Sequence, residues 1–303
     1  HPKVIKNATI LHFASEEEKS IITVLLKRRT VRTLSGISAI AIMTKPLPCP
    51  GKCIFCPGEG SQPNEKVAQS YTGKEPSAMR SIQNNYDPYK QVQSRILDLE
   101  AIGHKVDKIS LIIQGGTFLS SPLDYQKEFI KGAYEGVIGN RVNSLEAAKN
   151  LAEKSKRRLI GLTIETRPDY CSEPYVDMML DYGTTRVEIG IQTVFDDVYK
   201  KVNRGHSTQD SINAIRIAKD AGLKINAHIM PNLPGSNYSK DLEMFDYLFS
   251  SSDYRPDMLK IYPCVVIKGT KLYDWWRNGD YEPYSLSELI DLISNVKQNI
   301  PSY

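Results

Sequence analysis

The chain has 303 residues, 41% of them hydrophobic and 24% charged, close to ordinary globular values, so a packed core is expected. No window approaches about eighteen consecutive apolar residues, which excludes a membrane-spanning helix, and the start carries no charged-then-apolar secretory signal. A net charge of +4 is too mild to argue for nucleic-acid binding by itself. The length suits one α/β barrel with a small appendage or two smaller domains. Because the chain begins at His1 rather than Met and ends abruptly on IPSY, it is expected to be a piece of something longer.

Taken in order, residues 1–34 read as an N-terminal basic segment. SEEE at 15–18 is acidic, and LLKRRTVR then gathers Lys27, Arg28, Arg29 and Arg32 ahead of the first strand. That run is either a solvated loop or a phosphate-contacting patch, since clustered Lys and Arg release counterions on nucleic acid. From 35 to 303 the chain reads as one domain. Strands are predicted at 38–43, 108–114, 159–165, 185–192, 224–230 and 258–262. Helices are predicted near 78–102, 122–137, 144–157, 173–182, 208–221, 239–250 and 285–299. Strand followed by helix, repeated, predicts a parallel sheet with helices outside it.

Period-two alternation then separates the strand faces. Ile109, Leu111 and Ile113 oppose Lys108, Ser110 and Gln114; Leu162 and Ile164 oppose Thr163 and Glu165. Val187, Ile189 and Ile191 oppose Arg186, Glu188 and Gln192. Ile225 and Ile229 oppose Asn226 and His228, while Leu259 and Ile261 oppose Lys260 and Tyr262. A parallel sheet buried on both faces should be apolar on both, and a closed eight-stranded barrel fills its lumen with branched apolar residues. One polar face per strand therefore predicts a wider or incomplete barrel with polar contents, or barrel ion pairs such as Lys260 with Glu188.

The first strand runs into PLPCPGKCIFCPGEG, which sets Cys49, Cys53 and Cys56 in a Pro/Gly loop. Five cysteines, three of them crowded, make a poor disulfide framework and point to a reducing, cytoplasmic setting; Cys171 and Cys264 read as small core residues. A four-iron cluster ordinarily takes four thiolates, so three leave one iron open, which is how a metal centre admits a substrate. Zinc stays open as well if a distant His serves as fourth ligand.

CPGKCIFC after the first strand resembles the cluster motif of the radical S-adenosylmethionine superfamily. Further stretches are similar to the Elongator catalytic-subunit family, the tRNA carboxymethyluridine synthases: SYTGKEPSAMRSIQNNYDPY, GHKVDKISLIIQGGTF, IGLTIETRPDYC, RVEIGIQTVFDDV, NRGHS, AHIMPNLPG and LKIYPCVVIKGTKLYDWW. The resemblance implies a partial (β/α)6 barrel of the TIM type. It implies a four-iron, four-sulfur cluster on Cys49, Cys53 and Cys56 whose open iron chelates S-adenosylmethionine, and an electron donor for its reductive cleavage. It also implies acetyl-CoA and the wobble uridine of tRNA as co-substrates: a 5′-deoxyadenosyl radical takes hydrogen from the acetyl methyl, the carbon radical adds at C5, and thioester hydrolysis leaves carboxymethyl. Family members carry an acetyltransferase-like domain after the barrel and a basic N-terminal extension, so this piece alone is not expected to be fully active.

The resemblance places Gly115, Gly116 and Thr117 against the amino-acid part of S-adenosylmethionine, where glycine lets backbone approach a ligand. Glu188, Gln192, Asn226 and His228 point inward and suit ribose hydroxyls and the adenine edge. Lys108 falls where the family contacts acetyl-CoA. Lys260 and Tyr262 are candidate polarising or proton-handling groups near the acetyl carbon. The competing readings are a noncatalytic tRNA-binding scaffold with zinc or an inert cluster, another radical enzyme such as a methylthiotransferase, for which Cys171 and Cys264 are too few to bind a second cluster, and a protein acetyltransferase, for which the chain has no acetyl-CoA loop.

Overall fold

The computed structural model describes residues 7–26, 33–57 and 67–302; Lys27, Arg28, Arg29 and Arg32 lie outside the described residues. Two short helices, α1 (Asn7–Phe13) and α2 (Glu16–Leu26), come first. The acidic residues Glu16, Glu17 and Glu18 sit in the first turn of α2, where carboxylates favour the exposed N–H groups and the positive end of the helix dipole.

Six strands follow: β1 (Ser38–Met43), β2 (Lys108–Gln114), β3 (Arg158–Thr166), β4 (Arg186–Gln192), β5 (Lys224–Ile229) and β6 (Met258–Ile261). They lie side by side in chain order and pair in parallel throughout. β1 and β6 stay unpaired with each other, so the sheet curls into an open half-barrel. Between and after the strands come α3 (Pro76–Gln83), α4 (Pro88–Ala101), α5 (Leu123–Ile138), α6 (Leu145–Lys154), α7 (Glu173–Asp181), α8 (Asp196–Lys201), α9 (Thr208–Asp220), α10 (Tyr238–Ser250), α11 (Lys271–Asn278) and α12 (Leu286–Gln298).

The apolar strand faces form the core. Ile40, Ile42, Ile109, Leu111, Ile113, Ile164, Val187, Ile189 and Ile225 are almost wholly buried and pack with Val92 and Ile96 of α4, Phe129 and Ile130 of α5, and Met244 and Phe245 of α10. Burying such a side chain contributes about 1.5–3 kcal/mol. That uniformly apolar outer face holds the helices against the sheet and leaves the other face to the site.

One predicted helix at 78–102 is two. Asn85 and Tyr86 take φ of 51° and 58°, breaking the first helix, and Pro88 starts the second while the Asp87 carboxylate accepts from Lys90 N–H at 3.1 Å. Proline at the first helical position gives up no helix bond. The second helix also supports β1. Gln91, fully buried, accepts from Met43 N–H at 2.8 Å and donates to Met43 C=O at 3.0 Å. Arg80 of α3 donates to Ala41 C=O at 3.2 Å.

Candidate active site

The cysteine loop crosses the C-terminal end of the strands and is pinned by backbone. Thr44 N–H continues the β1–β2 ladder onto Gln114 C=O at 3.0 Å; Ile54 N–H donates to Val202 C=O at 3.1 Å, and Ile54 C=O accepts from Leu272 at 2.9 Å. Val202 caps the end of α8 and Leu272 lies at the start of α11, so two short helices hold the loop in place. Cys56 N–H closes a turn onto Cys53 C=O at 3.1 Å.

Each of the three half-buried thiols has polar company. Cys49 Sγ lies 3.6 Å from Thr117 Oγ1, Cys53 accepts from Arg204 Nη1 at 3.3 Å, and Cys56 accepts from Gln69 Nε2 at 3.3 Å. Burial pushes the Cys56 thiol up, and the neighbouring Cys53 and Cys49 add to this. Cys171 and Cys264 are buried and held up at about 12 by that burial, as structural thiols should be.

These residues fit a cluster better than a zinc ion. Among the described residues, the only His, Cys, Asp and Glu group with all ligand atoms within 4.8 Å of one another is Glu165, Glu188 and His228. The thiols are therefore spread more widely than four-coordinate zinc, with bonds of about 2.3 Å to sulfur, would hold them. Nor is the Glu165 group a ready metal site. His228 Nε2 faces Glu188 Oε2 at 2.7 Å, and the Lys260 ammonium lies 3.5 Å from the same oxygen, so that oxygen already has a hydrogen-bond partner and a cation beside it.

Strand register assembles the floor. Glu165, Glu188 and Asn226 align across β3, β4 and β5, and His228 aligns with Lys260 of β6. Tyr71 donates to Glu165 Oε2 at 2.8 Å, and that oxygen also accepts from Gly115 N–H at 3.2 Å. His228 Nδ1 lies 3.7 Å from Glu165 Oε1. Asn226 donates to Glu188 Oε1 at 3.1 Å, and Tyr262 donates to Gln192 Oε1 at 3.0 Å. Burial alone would raise the Glu188 carboxyl. The hydrogen bond and charge of His228, with Lys260 and Asn226, overcome it and bring that carboxyl down to about 2.

The result is a cavity of about 450 Å³ with the three cysteines at its rim and Gln192, His228 and Tyr262 on its wall. Gly116 and Thr117 also line it. Gly116 has φ of +76°, and a Cβ there would stand 3.1 Å from Gln69 C=O, so glycine keeps the backbone against the opening. Two other clefts, of about 480 Å³ each, surround Arg141 and Lys105; neither gathers cysteines or inward-facing strand residues.

Of the residues named from sequence, Cys49, Cys53, Cys56, Gly116, Thr117, Gln192, His228, Lys260 and Tyr262 line this cavity. Glu188 supports it through His228 and Lys260, Asn226 donates to Glu188, and Gly115 turns its N–H to Glu165. Lys108 is not brought to it. Lys108 opens β2, pairs in register with Arg158 and is exposed at the opposite end of the sheet. Alternation gives a residue's face but not its depth, and this strand start lies outside the barrel mouth. Sequence reasoning did not name Tyr71, Arg167 or Arg204 as site residues, all of which line the cavity; they sit on loops, where no periodic signal marks direction. Glu165 carried the signal that could have found it, the same inward alternation as Glu188.

The chain matches the Radical SAM superfamily model over residues 48–248 and the Radical_SAM C-terminal domain model over 256–303. It is 47% identical, over its whole length, to a tRNA uridine(34) acetyltransferase of Methanocaldococcus infernus, of which it covers 56%. It is 42% identical over 94% of its length to Elongator complex protein 3 of Bos taurus, covering 53% of that protein. The chain thus spans little more than half the length of these relatives. Among solved structures, archaeal Methanocaldococcus infernus Elp3 with an N-terminal deletion superposes with a TM-score of 0.76 at 40% identity, covering 88% of this chain and 55% of the other. Coproporphyrinogen III oxidase of Escherichia coli shares the fold, with a TM-score of 0.52 at 15% identity over 85% of this chain and 51% of the other. With a six-stranded open half-barrel, a three-cysteine loop after its first strand and a family model matched across most of its length, the chain belongs to the radical SAM superfamily.

Proposed function

We propose that this chain is the radical-generating part of an enzyme that modifies wobble uridine in tRNA, using acetyl-CoA as the source of a carboxymethyl group. The observation that carries the reading is the convergence of three free thiols and a charged, inward-facing strand network on one cavity, in a chain whose relatives are named for tRNA uridine(34). Bound there, a four-iron cluster and S-adenosylmethionine would supply a 5′-deoxyadenosyl radical. The protein supplies positioning and exclusion of water.

Cys49, Cys53 and Cys56 would hold three irons. The Gly116–Thr117 turn would take the amino-acid end of S-adenosylmethionine, with Gln192 and His228 facing its ribose and adenine. Glu188 stays ionised beside His228 and the Lys260 ammonium, which holds both side chains toward the cavity. Lys260 and Tyr262 would hold the carbonyl of the acetyl group, since an ammonium and a phenol both donate to a developing oxyanion. An electron donor and the remainder of a longer protein would complete the turnover.

The test is anaerobic reconstitution followed by metal analysis and a 5′-deoxyadenosine assay, with tRNA and acetyl-CoA added or withheld. About four irons with matching sulfide and 5′-deoxyadenosine formation are expected. Zinc without iron and sulfide would instead support a noncatalytic scaffold.

A further inference from the structure

Two guanidinium groups reach the cysteine loop, and their surroundings differ. Arg167 follows β3 and is held by Asp169, Nε to Oδ1 at 2.8 Å and Nη2 to Oδ2 at 3.0 Å. Its Nη1 is buried without a hydrogen-bond partner and stands 2.0 Å from where a Cβ on Gly51 would lie. Asp169 neutralises that cation beside the loop.

Arg204 has no such partner. It lies just beyond α8 and is buried. Nη2 donates to Gly190 C=O at 2.6 Å, Nη1 donates to Cys53 Sγ at 3.3 Å, and Nε has no partner. No carboxylate pairs with it among the described residues; the charged or ionisable groups acting on it are Cys53, Tyr262 and Tyr199. Its place is made by Gly190, where a Cβ would come within 2.7 Å of Nη2. A guanidinium out of water is expensive unless it finds an opposite charge, and the counter-charge within reach is the one Cys53 would carry as a cluster ligand.

We infer that Arg204 is a positioning residue that raises the reduction potential of the cluster held by Cys49, Cys53 and Cys56, through one charge-assisted hydrogen bond to Cys53 Sγ. The inference rests on the cluster reading above. Reduction adds one electron from the titrant to the cluster without making or breaking a bond. A nearby cation and an N–H···S bond favour the more negative, reduced form, and hydrogen bonds to the sulfurs are among the terms that set such potentials. Arg167 reaches the same loop, but Asp169 offsets its charge, so it contributes less.

The experiment is a redox titration of the anaerobically reconstituted protein, read by electron paramagnetic resonance of the reduced cluster, with no S-adenosylmethionine, tRNA or acetyl-CoA present. Arg204→Met and Arg204→Gln are expected to titrate at a more negative potential than the unaltered protein. Arg204→Lys is expected between them and the unaltered protein, and Arg167→Met is expected to shift least. Iron and sulfide content should be unchanged. Coincident titrations for Arg204→Met, Arg204→Gln and the unaltered protein would overturn the inference, as would an Arg167→Met shift as large as that of Arg204→Met. If Arg204→Met takes up no cluster, Arg204→Lys and Arg204→Gln carry the measurement. Loss of the cluster in all three, with a native circular dichroism spectrum, also overturns it and makes Arg204 part of the binding site. An unaltered protein that takes up no cluster brings down the proposed function as well, whereas a cluster whose potential ignores Arg204 brings down this inference alone.

Discussion

Lys108 and Lys260 carry the same pattern in sequence, a lysine alternating with branched apolar residues on a parallel strand, yet they sit in different chemistry. Lys260 lies within β6, in register with His228, and reaches the Glu188 carboxylate at 3.5 Å. Lys108 opens β2 in register with Arg158 and projects into water. The difference is depth along the strand. Near the C-terminal ends the polar faces of β3 to β6 converge on one cavity; at the N-terminal ends side chains such as Lys108 and Lys224 lie at the surface, away from it. In this fold, the direction of a polar side chain becomes informative only once its distance from the strand's C-terminal end is known.

The largest expected effect lies at the mouth. Replacing Cys49, Cys53 or Cys56 with Ser should abolish four-iron cluster assembly, while Cys171→Ser and Cys264→Ser should keep the iron and sulfide content of the unaltered protein. Cluster loss in the Cys171 variant comparable to that in the Cys53 variant would move a ligand out of the loop. Next comes Glu188→Gln, which leaves His228 and the Lys260 ammonium without their carboxylate. Breaking a buried pair on one side costs about 3–5 kcal/mol, and the lower part of that range is expected because Lys260 is partly exposed. Urea unfolding of the cluster-free protein measures it.

Acid should act through two groups of this same end, in windows that open at different pH and then overlap. Burial, then the charges of Arg204 and Arg167, hold His206 neutral with its value lowered from 6.5 to about 2. The unfolded chain therefore binds the extra proton first, and stability falls as pH drops below 6.5. Glu188 is lowered from 4.5 to about 2; its contribution is complete above 4.5 and is lost as pH falls from there toward 2. His206→Leu should flatten the profile between 6.5 and 4.5 and reduce, without abolishing, the slope below 4.5, where Glu188 still acts. A stability profile of unchanged slope between 6.5 and 4.5 would remove His206 from the account.

The smallest expected effect makes the sharpest contrast between the two lysines. Lys260→Met should lower 5′-deoxyadenosine formation and change its pH profile. Lys108→Met should leave both unaltered and shift stability by no more than about 0.5 kcal/mol, as surface substitutions do. A Lys108 variant that loses cavity chemistry would show that the two ends of the sheet communicate.

The strands were legible almost to the residue because an apolar face packed on helices imposes strict alternation, as in Val187, Ile189 and Ile191. The floor was legible for the same reason: Glu188, Asn226 and His228 occupy the alternate positions. α8 escaped because six residues give too few turns for a helical period to register. The split between α3 and α4 was signalled by Asn85 and Pro88, but the left-handed Tyr86 between them leaves no compositional mark. Tyr71 and Arg204 reach the cavity from loops, where tertiary anchoring rather than local pattern sets direction.

The bonds that Gln91 and Arg80 make to β1 have a consequence for solubility. An open half-barrel leaves its first strand with a row of free N–H and C=O groups, the template on which chains add to one another. On the unpaired side of β1, Gln91 occupies both backbone groups of Met43, and Arg80 occupies the Ala41 carbonyl. These side chains stand where a seventh strand would pair, so a second molecule finds that stretch of edge already taken. The gap between β1 and β6 can then stay open without inviting self-association through β1.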